Sequence, residues 1–272
     1  MWCAVKKGTF MRSTIGYIAA ITIAMALNSP SSGADLLPVP AEQSVPSEPD
    51  RWQFSLSPYF WMAGIDGDSQ VFGLGEVNVS QDFGDILSDL DFAATLAGEA
   101  RYGRYSIFTD MSYVRLTTES ATPRGIVADT VSVRSTTFTA LIAGAYTIYE
   151  DDKAHLDILA GVRYWRAETR ISLSGGLVGS LSGSDSANWV DGIVGFKGNY
   201  SLTDKVFIIG WAMVGTGGAD IDWDVLGGLG YKFNDTFSAI AGYRAQGVNY
   251  SNDGFQYDMI QHGPILGLNI KF

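Results

Sequence analysis

The sequence predicts an all-β fold, a single antiparallel transmembrane β-barrel of about ten strands, with eight as the alternative. Three observations carry that expectation. Apolar and polar residues alternate with a period of two from Arg51 to the C-terminus. No apolar run of membrane-helix length occurs beyond the extreme N-terminus, which excludes a helical membrane bundle. The connections between alternating segments are short and long in turn, the layout of a barrel with periplasmic turns and longer extracellular loops.

In chain order, residues 1–34 read as a secretory signal peptide. Lys6, Lys7 and Arg12 precede an apolar core from about Ile15 to Leu27, and small residues end at Ser32-Gly33-Ala34. Cys3 is the only cysteine and lies within this segment, so the exported chain is expected to hold no disulfide and no Cys-ligated metal. The whole chain has 18 basic and 29 acidic residues and a net charge of −11. Loss of three basic residues with the signal makes the product more acidic still, which argues against nucleic-acid binding. Residues 35–50, "DLLPVPAEQSVPSEPD", are rich in proline and read as an extended periplasmic linker. Residues 51–272 are the expected barrel.

Ten segments carry the alternation: 51–63, 91–102, 104–118, 130–149, 154–173, 187–201, 205–217, 221–233, 236–250 and 255–272. In "WQFSLSPYFWM" the even positions Trp52, Phe54, Leu56 and Phe60 are apolar, and Gln53, Ser55 and Ser57 are polar. In "FAATLAGEARY" Phe92, Leu96 and Tyr102 oppose Thr95, Glu99 and Arg101. Most segments reach the about 9–11 residues that a tilted strand needs to cross a bilayer. Gly103-Arg104, Glu150 to Lys153, Leu202 to Asp204 and Asn234-Asp235 are the short turns. Gly64 to Leu90, Ser120 to Asp129 and Ser174 to Ser186 are the longer loops. In lipid every backbone N–H and C=O needs an internal partner, so such strands must close on themselves. Tyr102, Tyr105, Tyr113, Tyr146, Tyr149, Tyr164, Tyr200, Tyr231 and Phe233 lie where aromatic girdles would meet the two interfaces. A soluble barrel would have to store the Trp and Phe rings inside, facing an outer surface of Gly, Ala, Ser and Thr poor in charge.

Strand phase assigns a lumenal set: Glu99, Arg101, Asp110, Asp157, Arg163, Asp191, Lys197, Asp222, Asp224, Lys232 and Arg244, with Lys271. Both signs are present. In a narrow barrel they are expected to pair and fill the interior, with a narrow pore for small solutes as the alternative. The chain has two histidines. His155 follows the turn "EDDK" and reads as a solvated turn residue; His262, in "QHGP", is expected to face outward or to mark a bulge before Pro264. Neither supports a catalytic constellation, and an outer-membrane hydrolase ranks third. Asp66, Asp68, Asn252 and Asp253 form oxygen-rich loops that turn chemistry explains as well as a metal would. No metal or cofactor is expected. In "SQDFGDILSDLD" Phe83, Ile86, Leu87 and Leu90 repeat at helical spacing behind Ser80 as the candidate cap, predicting a short helix that either gates the mouth or braces the loop.

The ordered stretches "SPYFWMAGIDGD", "FGDILSDLDFA", "LDILAGVRYW", "WVDGIVGFKGNY", "GLGYKF", "GYRAQGVNY" and "FQYDMIQHGPILGLNIKF" resemble a group of proteobacterial outer-membrane β-barrel proteins of uncharacterised role in the porin-like superfamily. "ADLLPVP" is similar to the export tail of rhizobial surface porin-like proteins. The resemblance implies a signal peptide, one antiparallel barrel in the outer-membrane lipid, and a C-terminal Phe272 of the kind read by the barrel-assembly machinery; the barrel is expected to be a monomer. It implies no particular activity.

Overall fold

In a strand that alternates, one face is apolar and the other is not, and ten such strands can satisfy their backbones by pairing in a ring. The computed structural model describes residues 51–70, 77–121, 129–176, 179–252 and 255–272. The expected signal peptide, 1–34, and linker, 35–50, lie outside these, as does Asp253. The strands are β1 Trp52–Trp61, β2 Gly64–Gln70, β3 Val77–Gln81, β4 Leu90–Tyr102, β5 Tyr105–Ala121, β6 Thr130–Glu150 and β7 Ala154–Gly175. They continue with β8 Gly179–Ser201, β9 Val206–Gly217, β10 Ile221–Lys232, β11 Phe237–Asn252 and β12 Phe255–Lys271; a helix, α1, spans Phe83–Asp89.

β1 and β4 to β12 form the closed antiparallel barrel of ten strands, with β12 returning to β1. The closing register runs from Ser55↔Lys271 to Trp61↔Ile265. Phe54 and Phe272 exchange backbone hydrogen bonds of 2.9 and 3.0 Å, so the last residue takes part in the seam. Opposite Pro264 the first strand breaks at Met62-Ala63, where Met62 N–H still donates to the Pro264 carbonyl at 2.9 Å. A proline has no N–H to return, so this is where a ladder yields.

Beyond the break, β2 continues up β12 from Gly64↔His262 to Gln70↔Gln256. Its other edge pairs with β3, whereas β1 below pairs with β4. The first strand therefore changes neighbour halfway up, and α1 occupies the place of the change. It packs against β2, β3 and β5, buries Ile86 and sets the Phe83 ring edge-on to Phe60 at 6.0 Å. That arrangement is a brace. The cap is Asp82, which accepts from Asp85 N–H at 3.0 Å, not Ser80. Ser80 lies in β3 and donates to Asp66 at 2.8 Å instead.

Two further expectations are corrected. The long loop 64–90 contains β2 and β3, and Asp66 and Asp68 serve as acceptors for Ser80 and Asn78 across that hairpin. The loop expected over 174–186 is mostly strand, since β8 starts at Gly179. Left-handed Gly175 and Gly179, at φ +77° and +63°, flank the tight reversal. "GSLSGSDS" alternates between small residues and so carries little hydropathy contrast. As a result β7 and β8 are 22 and 23 residues long, against 12 each for β9 and β10.

The outward faces carry the apolar set. Leu156, Ile158, Val162, Val190, Val194, Phe196, Val214, Val225, Leu229, Leu266 and Leu268 are all exposed. Aromatic rings bound this belt. Trp52, Tyr102, Tyr105, Tyr146, Tyr200 and Tyr231 lie at the end with short turns, and Phe92, Tyr113, Phe138, Tyr164 and Tyr243 at the other. Tyr113 and Tyr164 are in mid-strand because β5 and β7 continue far past the outer girdle.

Candidate functional site: the lumenal charge layers

Alternation that turns Leu and Val to lipid turns the intervening residues into the lumen. Side chains from strands far apart in the ring meet there, in three layers. The lowest lies near the periplasmic turns. Arg101 on β4 bonds Glu99 at 2.6 Å and Asp157 of β7 at 2.7 Å, and donates to Thr147 of β6 at 2.8 Å. Lys197 on β8 reaches Glu99 at 2.8 Å and Asp157 at 3.1 Å. His155 also points inward, 2.7 Å from Asp157. The expectation of a solvated turn histidine is therefore wrong. His155 and Asp157 are two residues apart in one strand and must share a face.

The middle layer is the most buried. Arg163 on β7 binds Asp222 and, at 2.9 Å, Asp224, both on β10. Arg244 on β11 binds Asp224 at 2.7 Å and crosses to Asp110 of β5 at 2.8 Å. It also donates to the Tyr59 hydroxyl, which donates onward to Asp110 at 2.8 Å. Trp165 and Trp211 donate their indole N–H groups to Asp222 at 2.7 Å and Asp224 at 2.9 Å. The Arg244 guanidinium lies 4.8 Å from the Trp61 ring centroid and 5.3 Å from that of Trp211. Arg163, Arg244, Asp222 and Asp224 are each at most 1% exposed. Isolated charges at such depth are very costly, and multiple charge-assisted bonds offset much of the desolvation.

Above this layer sits an aromatic one. Trp189 of β8 stacks on Tyr250 of β11 at 4.1 Å and on Trp165 of β7 at 5.7 Å, while Tyr257 of β12 tilts against both tryptophans. Val248, Phe255 and Met259 complete the cluster.

All the sequence-assigned charges fall on the lumenal face, but three stand apart from the ion pairs: Asp191, Lys232, and Lys271, which pairs with Ser55 at the periplasmic end of the closing seam. Asp191 is fully buried and accepts from Ala219 N–H at 2.8 Å, tying down the β9–β10 connection. Lys232 lies over the Phe207 ring at 5.7 Å near the periplasmic end. Sequence reasoning missed Tyr59, Thr147, Trp165 and Trp211, whose neutral polar atoms complete the charge layers. Each has the inward phase of its strand, which is the signal that would have found them.

His262 faces outward above the outer girdle, as expected. Its Nδ1 is 2.6 Å from the Tyr243 hydroxyl and its Nε2 3.2 Å from Asp66. The Asp66 carboxyl is held below the usual carboxylate range, first by the Ser80 hydroxyl and then by His262. Tyr243, His262, Asp66 and Ser80 thus form a chain that fastens the β2–β3 hairpin to the wall.

A closed antiparallel barrel with an apolar outer belt, aromatic girdles and a polar interior defines the class: this is an outer-membrane β-barrel protein. No family model matches the sequence, and no curated protein matches it. Among solved structures it is similar to the translocator domain of the autotransporter NalP from Neisseria meningitidis, at 15% identity and a TM-score of 0.44, covering 84% of this chain and 90% of that one. It is also similar to the outer-membrane protease OmpT from Escherichia coli, at 11% identity and a TM-score of 0.48, covering 82% and 97%. A third is Ail, the attachment invasion locus protein of Yersinia pestis, at 12% and 0.36, covering 81% and 99%. At these values the likeness adds nothing to the geometry described above.

Proposed function

We propose that this protein is a non-enzymatic structural or surface-interaction barrel whose lumen is closed by its own side chains. The observation that carries the reading is the middle layer, in which Arg244 spans from β11 and β10 to β5 and Arg163 joins β7 to β10. Two cations gripped by three carboxylates are a poor lining for a conduit, because each bond that must open exposes an unpaired buried charge. The aromatic layer above and the Arg101–Asp157–Lys197 cluster below add two further crossings of the lumen.

The non-enzymatic part rests on His262. Both of its ring nitrogens face structural partners, Tyr243 and Asp66, which leaves neither directed at a nucleophile. In this reading the partners are outer-membrane lipid around the belt and, during biogenesis, the assembly machinery that recognises Phe272. The barrel acts as a monomer.

Planar-bilayer recording of the refolded protein tests the closure. The expected trace has no resolved open steps, and Arg244→Ala introduces them. Steps in the unaltered protein whose size changes in Asp191→Asn or Arg244→Gln would instead establish a narrow pore. Hydrolysis of lipid or peptide that vanishes in His262→Ala would establish an enzyme.

A further inference from the structure

The upper outside wall of β5, β6 and β7 carries a group of cations that the lumenal network does not use. Cross-strand register places them together. Tyr113 pairs with Phe138 and Arg115 with Thr136 between β5 and β6. Phe138 pairs with Arg166, Thr136 with Glu168 and Arg134 with Arg170 between β6 and β7. Arg115, Arg134, Arg166 and Arg170 consequently surround a shallow cleft floored by Thr136 and Phe138.

Its depth in the membrane follows from the girdle. Tyr113, Phe138 and Tyr164 mark the outer edge of the apolar belt, with Phe138 and Tyr164 rings 6.1 Å apart. Arg115 and Arg166 come two residues after Tyr113 and Tyr164 on the same outward faces, and Arg170 lies further out. That is headgroup depth.

The guanidiniums are held but not neutralised. Arg115 lies over the Tyr113 ring at 5.6 Å, and Arg134 Nε donates to Thr117 at 3.2 Å. Arg166 and Arg170 share one carboxylate, Glu168, at 3.2 and 3.3 Å, and their side chains stay 53% and 50% exposed. Asp91 is the other nearby acid, bonded to Thr117 at 2.6 Å on the flank. Four arginines thus outnumber Glu168 and Asp91, and Glu119 adds a third carboxylate at the outer margin, two residues beyond Thr117 on the same face of β5.

This concentration contrasts with the rest of the molecule. Among the described residues, the other basic side chains lie in the lumen or at the periplasmic end. The remaining outward charges on the extracellular half, such as Asp66, Asp82, Asp85 and Glu119, are acidic. A random scatter of cations on an acidic chain does not gather the outward extracellular arginines of the described residues on three adjacent strands.

From this we infer that the outer wall of β5–β7 is a binding site for the net-anionic phosphorylated headgroup of an outer-leaflet lipid. Arginine presents a planar fork of donors suited to phosphate; Arg115 donates one nitrogen to the Tyr113 hydroxyl, Arg134 its Nε to Thr117, and Arg166 and Arg170 one nitrogen each to Glu168. The apolar belt directly below receives the acyl chains, which a free anion does not have. The site depends on outer-membrane placement and is independent of whether the lumen is closed.

The test uses the full barrel refolded in detergent, with native mass spectrometry to count bound lipid. The probes are diphosphoryl lipid A, phosphatidylcholine and inorganic phosphate, and heat-modifiable migration verifies folding of every variant. Diphosphoryl lipid A is expected to remain bound and to weaken with added salt. The quadruple variant Arg115→Gln, Arg134→Gln, Arg166→Gln and Arg170→Gln should bind it at least about tenfold more weakly, the loss of one to two charge-assisted contacts. Glu168→Gln should bind at least as tightly as the unaltered protein, since it removes a competing anion. Equal retention by the folded quadruple variant overturns the proposal, as does equal retention of phosphatidylcholine. Displacement of the lipid by millimolar inorganic phosphate alone also overturns it, by showing a site for free anions. If the quadruple variant fails to fold, Arg166→Gln with Arg170→Gln is the deciding pair, and unchanged binding there is equally fatal.

Discussion

Arg163 and Arg166 stand three residues apart on β7 and lead opposite lives. Arg163 points into the barrel, is 1% exposed, and is bound to Asp222 and Asp224. Arg166 points outward, is about half exposed, and shares Glu168 with Arg170. An odd spacing in a strand separates the two faces of the wall, so one sequence segment supplies both a cross-lumen strut and a surface cation. The lumenal arginine has its charge answered by the protein, whereas the outer one leaves part of its charge for the surroundings. Identical chemistry therefore implies internal restraint on one side and recognition on the other.

The sharpest way to break this contrast is Arg244→Ala. It leaves Asp110 with the Tyr59 hydroxyl in place of an ion pair and leaves Asp224 to share Arg163 with Asp222, and is expected to lower the unfolding free energy by about 3–5 kcal/mol, read from the urea midpoint of the protein refolded into vesicles. Replacing Arg244, Asp110 and Asp224 together by apolar residues should cost less than Arg244→Ala alone, because no charge is left behind. A larger loss in the triple variant would show that the layer is a net source of stability. Next in size is Lys197→Ala in the lower layer, where Glu99 and Asp157 keep Arg101 as a partner. Its expected cost is about 1.5–3 kcal/mol, that of lost hydrogen bonds to a charged group. Outside the barrel, Arg166→Ala is expected to change the midpoint by less than about 1 kcal/mol, as exposed ion pairs do.

The smallest effect concerns the hairpin latch. The Asp66 carboxyl is depressed in the folded state, so its contribution is present above its unfolded value of 3.8 and is lost as pH falls through the lower folded value. Hydrogen exchange of β2 and β3 should therefore accelerate, relative to β6 and β7, as pH drops below the ordinary carboxylate range. Asp66→Asn should remove that difference, and a pH response that persists in the variant would assign it to another group.

Much of this was legible in the residues because the bilayer enforces strict alternation. Phase alone puts Glu99, Asp157, Asp222 and Arg244 in the lumen, and it puts Leu266 and Leu268 in lipid. Where the wall rises into water that constraint relaxes, and reading failed there. The small residues from Gly179 to Ser186 continue a strand without hydropathy contrast, and β2 and β3 lie in a stretch that reads as loop. His155 was misplaced by its nearness to a turn, although its even separation from Asp157 carried the correct answer. The outer arginines were legible in principle, as cations in the lipid phase beyond the girdle tyrosines. Partners across the lumen were not, because no local pattern says that Arg244 meets Asp110 134 residues away.

The unequal strand lengths give the molecule a front and a back. β7 and β8 rise well above the outer girdle, whereas β9 and β10 are 12 residues each and end close to it. A neighbour diffusing in the plane of the membrane therefore meets a tall screen from one direction and a low sill from the other. Rotation about the membrane normal, irrelevant for a uniform cylinder, becomes a variable in every encounter.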